Sequence, residues 1–564
     1  MTLKSPFGVS QMAIFNFIRF LFENTDNSLE LCLVIKLMTM RSKVQLLFWA
    51  LLMCSCSKEM DVLDHGINYS YGRDLAHERI VLGKRLENPY KTENVTKALQ
   101  SLYPTKADRV EVKPTDLYVR FLPSGKEQCD RLEEMGLDLI DHPLDYDIAV
   151  EGDWYHDPEV PENNMTWQYA VVPVGFEFPD DIEYELIDEC YIINSTQTRV
   201  DGIDWEAVER EAYRITGNEE RLGEVVMTKA SNKVTPSGRI TIVDPKANGG
   251  KPFGVAGVKV SCNSFVKFAS CFTDRDGYYT IPKVFSTDLR YRLVFQNEKG
   301  FSIGVNLIIV PASVSTLGKA GPKGVNMTVT DTSDGKLFRR CVVNNAAYEY
   351  YSRCSKEDLN LPSPPSDLRI WIFKNLEASS AAMLHHNAVL SNDLISGYLG
   401  NYAVLIKSLL PDITIGAKGR NDYASLYNVV CHELAHASHF SKVGTEYWNQ
   451  YVSYIATSFL LSGGKTYGDG SGDGASLCEI GEMWAYYLES RMYKDRYGGS
   501  MPSFGTSYWF YPQIFRYLDQ RGIKPSQIMS VLDTKTTSRQ TLKQNLIDAF
   551  PSRRTIIEQV FSRY

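Results

Sequence analysis

The residues with the clearest capacity for chemistry are His432, Glu433 and His436, within the pentapeptide His-Glu-Leu-Ala-His. Because positions i and i+4 of a helix share one face, the two imidazoles can bind a single metal ion. The Glu433 carboxylate then lies beside the first ligand, where it can accept a proton from a water molecule on the metal. The whole chain has nine histidines, and this scarcity argues against a chance arrangement.

The surrounding sequence predicts a buried helix that follows a short strand. Asn421-Asp422 offers a helix N-cap, and apolar residues follow at helical spacing from Leu426 to Ala435. Upstream, Asp412–Gly416 alternates as a β-strand and ends in a turn that contains glycine. The pentapeptide is therefore expected on a helix that packs against the core.

The pentapeptide resembles the HExxH sequence of zinc metallopeptidases. Downstream, the helical stretch 478–490 contains Glu482-Met-Trp-Ala485, which resembles the Glu-x-x-Ala segment of the gluzincin class. The resemblance implies that Zn²⁺ is held by His432, His436 and Glu482, with an open position for water and with Glu433 as general base. It also implies that the edge of the preceding strand binds the substrate backbone.

Other residues near the pentapeptide are weaker candidates for metal ligands. Glu479 lies one turn before Glu482 and remains the alternative third ligand. His439 lies about 10 Å along the helix axis from His432, which favours a contact with substrate or a structural role. A third histidine of the metzincin type is excluded, because Lys442 stands at its position.

Two features of the expected chemistry stay open. In thermolysin-like enzymes an acidic residue one turn after the ligand glutamate supports a zinc histidine, but Tyr486 stands at that position here. A different group must therefore orient the ligands. The hydrogen-bond donor to the reaction's oxyanion is also open, and the candidates are Tyr486, Tyr487, His439 and His385.

The N-terminus predicts a lipoprotein signal. A basic start at Met40–Lys43 precedes the apolar run Val44–Met53, which is too short to span a membrane. The following Ser55-Cys56 resembles a bacterial lipobox, and its continuation resembles mature lipoprotein starts in Bacteroides-type bacteria. The resemblance implies a lipid on Cys56, with Cys54 as the alternative. It also implies a cell-envelope location, at the outer membrane on its periplasmic or surface face.

Disulfides are permitted by the cysteine content of an exported chain. Of the 11 cysteines, Cys32, Cys54 and Cys56 lie in or before the signal, which leaves eight. Three pairs are suggested by their positions: Cys262 with Cys271, Cys341 with Cys354, and Cys431 with Cys478 between the two metal-bearing helices. The alternative for each is a buried thiol.

Three short alternating stretches predict a central β-sandwich, namely Gly238–Asp244, Gly257–Cys262 and Thr273–Ile281. Their order resembles the carboxypeptidase regulatory-like domain of prealbumin type over about residues 236–300, which implies a non-catalytic module. Asp274 lies where a turn is expected, and we favour a turn over a calcium site.

The chain as a whole predicts a multidomain α+β fold with an N-terminal α+β region, a central β-sandwich and a C-terminal, mainly helical zincin-like metallopeptidase domain. The predicted boundaries are 1–39 for a non-native extension, 40–55 for the signal peptide, 56–232 for the N-terminal region, 233–332 for the sandwich and 333–564 for the peptidase domain.

These features predict a hydrolase, a zinc-dependent peptidase that acts on peptides or proteins and is attached to the membrane by its lipid. The formal charge of −8 gives no reason to expect nucleic-acid binding. The alternative is a non-catalytic lipoprotein that binds a peptide or glycan and carries a vestigial peptidase domain. The intact Glu433 weighs against that alternative, since degenerate sites commonly lose the base.

Overall fold

A computed structural model gives the structure of the chain from residue 79 to residue 564. The description leaves out 108–109, 153, 162–163, 194–198, 201, 223–233, 305–311, 333–334, 356–358, 375–378, 387–410, 462–466 and 501–507. The extension, the signal peptide and Cys56 therefore lie outside the described residues. The predicted multidomain α+β class is confirmed, with a strand-rich centre followed by a mainly helical C-terminal part.

The N-terminal region, residues 79–222, is built around a three-stranded antiparallel sheet. Its elements are β1 (Val81–Arg85), α1 (Thr92–Leu102), α2 (Pro104–Ala107), β2 (Asp116–Leu122), α3 (Lys126–Glu134), β3 (Tyr146–Val150), β4 (Gln168–Pro173), β5 (Glu183–Cys190), β6 (Arg199–Val200), β7 (Ile203–Asp204) and α4 (Trp205–Ile215). Strand β2 lies between β4 and β5, and β1 pairs separately with β3. Helix α4 begins where the Asp204 carboxylate accepts hydrogen bonds from two backbone amides of its first turn.

The central region, residues 234–332, contains two sheets. Its strands are β8 (Ser237–Ile242), β9 (Phe253–Gly254), β10 (Val258–Ser264), β11 (Lys267–Phe272), β12 (Tyr278–Thr280), β13 (Leu289–Asn297), β14 (Ser302–Gly304), β15 (Val314–Ala320) and β16 (Met327–Val329). One sheet has the order β12-β8-β16 with β9 beside β8, and the other contains β10, β11, β13 and β15. The predicted turn is present, since Asp274 Oδ1 accepts hydrogen bonds from the amides of Asp276 and Tyr278.

The C-terminal region, residues 335–564, carries the candidate site. Its elements are α5 (Gly335–Cys354), β17 (Arg369–Phe373), β18 (Ile413–Gly416), α6 (Tyr423–Leu461), α7 (Ala475–Tyr497), α8 (Gln513–Gln520), α9 (Pro525–Val531), α10 (Arg539–Ala549) and α11 (Arg554–Phe561). Strand β18 confirms the strand predicted before the HExxH helix. Asp422 caps α6 as predicted, by accepting a hydrogen bond from the Ser425 amide at 3.1 Å.

One sheet joins the central and C-terminal regions. Strand β14 pairs with β13 on one side and runs parallel to β17 on the other, and β17 is parallel to β18. The resulting seven-stranded sheet crosses the predicted boundary at 332/333. A single buried apolar cluster also extends from Ile240 to Phe561. The platform beneath the HExxH helix is therefore continuous with the central β-structure.

Helix α6 contains a break that brings its second half back toward its first. Gly444 has φ of 77°, a conformation that costs little only for glycine. His436 and Tyr451 are fifteen positions apart and would be separated by about 22 Å along an unbroken helix. Their ring centroids are instead 5.7 Å apart. The reversal places the second half of α6 beside the HExxH turn.

Within the described part of the chain, none of the cysteines forms a disulfide. Cys262 lies opposite Ala269, and Cys271 lies opposite Val260, so the first suggested pair is out of register. Burial raises the pKa of the Cys431 thiol well above its ordinary value, as expected for an inert thiol in the core. The three suggested pairs are therefore wrong. No helix among the described residues is both long and apolar enough to cross a bilayer.

Candidate metal centre

His432, His436 and Glu482 come together where α6 packs against α7. His432 Nε2 lies 3.6 Å from Glu482 Oε2, and His436 Nε2 lies 3.5 Å from Glu482 Oε1. One donor atom from each of the three residues falls within 4.8 Å of the others. All three side chains are buried. This group could hold a metal ion, and it consists of the three residues predicted from the sequence.

The electrostatics of the cluster keep Glu482 ionised. Burial acts to raise the pKa of Glu482, but the two histidines outweigh burial and hold that pKa well below its ordinary value. Burial lowers the pKa of His436, and the Glu482 carboxylate opposes that effect. Metal binding needs the ionised form of the carboxylate and the neutral form of the imidazole, and burial of His436 favours its neutral form.

Glu433 is a buried carboxylate with no hydrogen-bond donor among the described residues. The residue is 0% exposed, and neither of its side-chain oxygens has a hydrogen-bond partner. Burial raises the pKa of Glu433 to about 8, with a smaller contribution in the same direction from Glu482. Without a metal ion the carboxyl is therefore largely protonated near pH 7, and the positive charge of a bound metal would favour the ionised form that a general base needs.

Glu489 orients the first histidine, His432, and supplies the supporting acid for which the sequence suggested no residue. His432 Nδ1 lies 3.0 Å from Glu489 Oε2. A proton on Nδ1 leaves the Nε2 lone pair directed toward Glu482, which is the arrangement usual for a metal-binding histidine. Glu489 lies two helical turns after Glu482 and shares its face of α7. That i+7 spacing is the sequence signal that could have identified it.

Tyr451 is the second group that the sequence did not reveal. Its hydroxyl donates a hydrogen bond of 2.6 Å to Glu482 Oε1, and its ring packs beside His436. The contact depends on the chain reversal at Gly444. Tyr451 is thus a positioning residue for the third member of the cluster.

The candidates for the hydrogen-bond donor to the oxyanion differ in the residues that they contact. Tyr486 packs edge-on against His432, with ring centroids 4.6 Å apart. Its hydroxyl lies 3.1 Å from those of both Tyr467 and Tyr508. Tyr487 lies on another face of α7, where its ring contacts Trp484 and Phe515. Of these two neighbouring tyrosines, only Tyr486 contacts a member of the cluster.

The remaining candidates have other surroundings. Glu479, the alternative third ligand, forms an ion pair of 3.3 Å with Arg539. His385 Nε2 lies 2.8 Å from an oxygen of Asp367. His439 is fully buried between the rings of Tyr447 and Trp448. Glu479 and His439 are absent from the three-residue cluster, which favours the predicted ligand set.

The edge of the strand before the HExxH helix is already partly occupied. Ser380 and Thr414 exchange two backbone hydrogen bonds of 2.8 and 2.9 Å in an antiparallel bridge. Met383 donates a further backbone hydrogen bond to Asp412. Strand β18 is the last strand of the sheet, with β17 on its inner side, and its outer side is partly paired with residues 379–383. The backbone groups of Asp412 and Thr414 on this edge are therefore not free to bind a substrate as expected, because residues 380 and 383 already pair with them.

Comparisons with protein-family models, with curated proteins and with solved structures each found no match to this chain. The function is therefore inferred from the geometry of the site.

Proposed function

We propose that this protein is a zinc-dependent peptidase of gluzincin type. The observation that carries the proposal is the buried cluster of His432, His436 and Glu482 with Glu433 beside it. The structure does not identify the metal, and the case for zinc depends on the chemistry of the donors. Two imidazole nitrogens and one carboxylate form a common ligand set of catalytic zinc.

The spacing of the donor atoms supports an ion of this size. Ligands at about 2.1 Å from a tetrahedral zinc ion stand about 3.4 Å from one another. The two histidine-to-glutamate separations are 3.6 and 3.5 Å. These distances run to different oxygens of Glu482, and one donor atom from each residue lies within 4.8 Å of the others, so the side chains would have to close in on a zinc ion. Glu489 and Tyr451 hold two of the three donors in place, and such supporting contacts are typical of metal sites.

The environment of Glu433 supports a hydrolytic role over a purely structural metal site. A buried carboxylate without a donor is costly for stability, so its retention suggests that a bound molecule supplies the donor. When bound, zinc would lower the pKa of a coordinated water and polarise the substrate carbonyl. Glu433 would accept the proton from that water and pass it to the leaving amine. Tyr486 is the favoured hydroxyl donor to the oxyanion.

The attachment of the protein to the cell envelope through a lipid on Cys56 remains part of the proposal. Its support is the lipobox-like sequence alone. A Cys56→Ala protein should lose acylation and leave the detergent phase on phase separation. A variant that still partitions like the parent would exclude this site.

The decisive experiment compares the full-length parent with Glu433→Gln in metal content and in cleavage of a peptide library. We expect about one zinc per chain in both proteins, because Glu433 is not a ligand. Loss of a general base typically lowers the rate by about 10²–10⁴-fold. The matched control is Glu446→Gln, an exposed glutamate on the same helix, which should cleave like the parent.

Three outcomes would contradict the proposal in different ways. Full zinc occupancy in the double variant His432→Ala/His436→Ala would remove the metal assignment. Equal cleavage by the parent and Glu433→Gln would remove Glu433 from the mechanism. A zinc-loaded parent that cleaves nothing across a broad library would favour the binding-lipoprotein alternative.

A further inference from the structure

Strand β5 is an edge strand of the three-stranded sheet in the N-terminal region. The order of that sheet is β4-β2-β5, and within the described part of the chain residues 183–188 form backbone hydrogen bonds with β2 alone. The outer side of β5 is covered only from Glu189 onward. There the Thr92 hydroxyl donates to the Glu189 carbonyl oxygen, and the Tyr191 amide donates to the Tyr90 carbonyl oxygen. An edge with unpaired backbone donors and acceptors can add a further strand.

One face of β5 carries exposed apolar side chains that continue the core of this region. Tyr184 lies opposite Phe121 and Leu186 lies opposite Val119, and residues opposite each other share a face of the sheet. Phe121 and Val119 are fully buried in a cluster that includes Leu132 of α3. Tyr184 and Leu186 are nevertheless 44% and 52% exposed. The apolar face is therefore buried over β2 and uncovered over β5.

The other face of this part of β5 is acidic. Glu183 lies opposite Leu122 and Glu185 lies opposite Arg120, so both carboxylates point away from the face of Tyr184. The Arg120 guanidinium forms an ion pair with Glu185. Glu183 has no cationic partner among the described residues. The four residues 183–186 thus alternate between acidic and apolar side chains along the open edge.

The surroundings of this edge carry an excess of negative charge. Residues 177–189 contain seven carboxylates and no basic residue. Three of the seven pair with cations from neighbouring elements, namely Asp181 with Arg131, Glu185 with Arg120 and Asp188 with Lys91. Arg120 also lies 3.7 Å from Asp157, so its charge is shared between two carboxylates. Subtracting three from seven leaves four carboxylates without a cation among the described residues, which are Glu177, Asp180, Glu183 and Glu189.

We propose that the edge of β5 binds an extended protein segment in which apolar and basic residues alternate. The segment pairs with the open backbone groups of 183–188 as an added strand. Its apolar side chains cover Tyr184 and Leu186, and its lysine or arginine side chains face Glu183 and Glu185. Alternation is required because successive side chains of a strand point to opposite faces.

Charge separates this occupant from a second copy of the chain. Pairing of two β5 strands would bring the glutamates of one copy against those of the other, and like charges on neighbouring strands are destabilising. Acidic side chains on an edge thus oppose self-association and favour a basic partner. The surface belongs to the N-terminal region, which contributes no member of the metal cluster. The proposal therefore does not depend on the proposed peptidase activity.

The first test is a titration of the labelled peptide Lys-Val-Lys-Ile-Lys-Val-Lys, capped at both ends, with the full-length protein, followed by fluorescence anisotropy. The protein carries Glu433→Gln, so that peptidase activity cannot consume the probe. One control peptide is Glu-Val-Glu-Ile-Glu-Val-Glu, and the other is Lys-Lys-Lys-Lys-Val-Ile-Val, which has the same composition without alternation. The alternating basic peptide should bind about tenfold or more tightly than either control. Its advantage over the acidic peptide should shrink at high salt.

The second test locates the bound peptide by amide hydrogen exchange. Amides of 183–188 on the open edge should exchange freely in the protein alone and become protected with the basic peptide, since an added strand supplies their acceptors. Leu186→Asn should weaken binding about fivefold by removing apolar contact. Glu183→Lys should weaken it about fivefold or more by reversing a charge. Glu219→Lys, at an exposed glutamate of the same region outside β5, should bind like the parent.

Several results would overturn the proposal. They are equal binding of the alternating and block-ordered basic peptides, unchanged affinity in both β5 variants, no protection of 183–188, and no binding up to millimolar peptide. Protection of 183–188 in the protein alone that disappears on dilution would assign the edge to a second copy instead. The titration is repeated in His432→Ala/His436→Ala, where binding should persist. Loss of binding there would place the peptide at the metal cluster and would likewise contradict the assignment to β5.

Discussion

Glu209 and Glu433 are both buried carboxylates, but their surroundings differ completely. Glu209 Oε1 accepts a hydrogen bond from Tyr90 at 2.7 Å and one from Lys267 at 2.8 Å, and Oε2 accepts one from Ser286 at 3.3 Å. Both members of the Glu209–Lys267 ion pair are 1% exposed. Glu433 is as deeply buried and has no donor among the described residues.

Glu209 is a structural residue whose charge is neutralised within the protein, whereas Glu433 keeps its oxygens available for a ligand. Glu209 lies on α4 and Lys267 on β11, so their network joins the N-terminal region to the central sheet. Every charge in it is compensated, which is the condition for a buried ion pair to be tolerated. Glu433 has no such partner, and its carboxyl lies beside a group that could hold a metal. Such local violations are expected at functional sites.

The largest predicted effect is the loss of stability on replacing Glu209. Glu209→Gln should lower the free energy of unfolding by about 3–5 kcal/mol, because it leaves the Lys267 ammonium buried without a counter-charge. Glu433→Gln should change that free energy by less than about 1 kcal/mol, because burial already keeps the metal-free carboxyl largely neutral near pH 7 and the amide has a similar shape. Urea unfolding of metal-free protein measures both.

The double variant Glu209→Gln/Lys267→Met is the control for this contrast. Replacing both charges should recover most of the lost stability, since a buried ion pair contributes little relative to neutral side chains of similar volume. If Glu433→Gln were as destabilising as Glu209→Gln, the distinction between the two carboxylates would fail.

An intermediate effect on zinc affinity is predicted at Glu489, which is not a ligand but orients the ligand His432. Glu489→Ala should lower zinc affinity about 10–100-fold, because His432 loses the acceptor that fixes its orientation. Glu479→Ala is the matched control on the same helix. It should leave zinc affinity unchanged and lose only the ion pair with Arg539. Competition with a chromogenic chelator measures both affinities, and a larger loss in Glu479→Ala would place the third ligand one turn earlier.

The residues of the metal cluster could be predicted because they follow local rules. His432, Glu433 and His436 are fixed by the helical repeat, and Asp422 and β18 follow from capping and alternation. Glu489 could be overlooked because the family pattern places the supporting acid one turn after the ligand glutamate, where Tyr486 stands here, and not two turns after it. Its i+7 spacing was visible in the sequence.

The remaining features depend on chain reversals and long-range pairing. Tyr451 reaches Glu482 only because Gly444 breaks α6, and a lone glycine in a helical pattern does not reveal the direction of the new segment. Strand β14 has three residues and pairs with β17 more than sixty positions later. The edge of β18 is partly covered by 379–383. Periodicity carries no information on such pairings, so the shared sheet was not predictable.

The smallest predicted effect concerns His439, a buried polar residue without a ligand-binding role. Neither ring nitrogen has a hydrogen-bond partner among the described residues. Burial lowers the pKa of His439 to about 3, so the ring is neutral in the folded protein near neutral pH. A neutral imidazole between aromatic rings costs less than the Glu433 carboxylate does. The unpaired ring nitrogens of His439 therefore need no ligand to explain them.

His439→Phe should leave zinc content unchanged and alter stability at pH 7 by less than about 1 kcal/mol, because an apolar ring of similar size fills the space between Tyr447 and Trp448. The difference should grow as pH falls. The unfolded chain protonates this histidine below its ordinary pKa of about 6.5, whereas the folded protein resists protonation down to about 3. The parent therefore loses stability between these pH values, and the free energy of unfolding of the variant should exceed that of the parent by roughly 2 kcal/mol near pH 5.

Thermal unfolding at pH 7 and pH 5 tests this prediction, with His439→Gln as the polar control that should gain no stability at pH 7. A loss of zinc in His439→Phe would instead give this histidine a place in the metal centre.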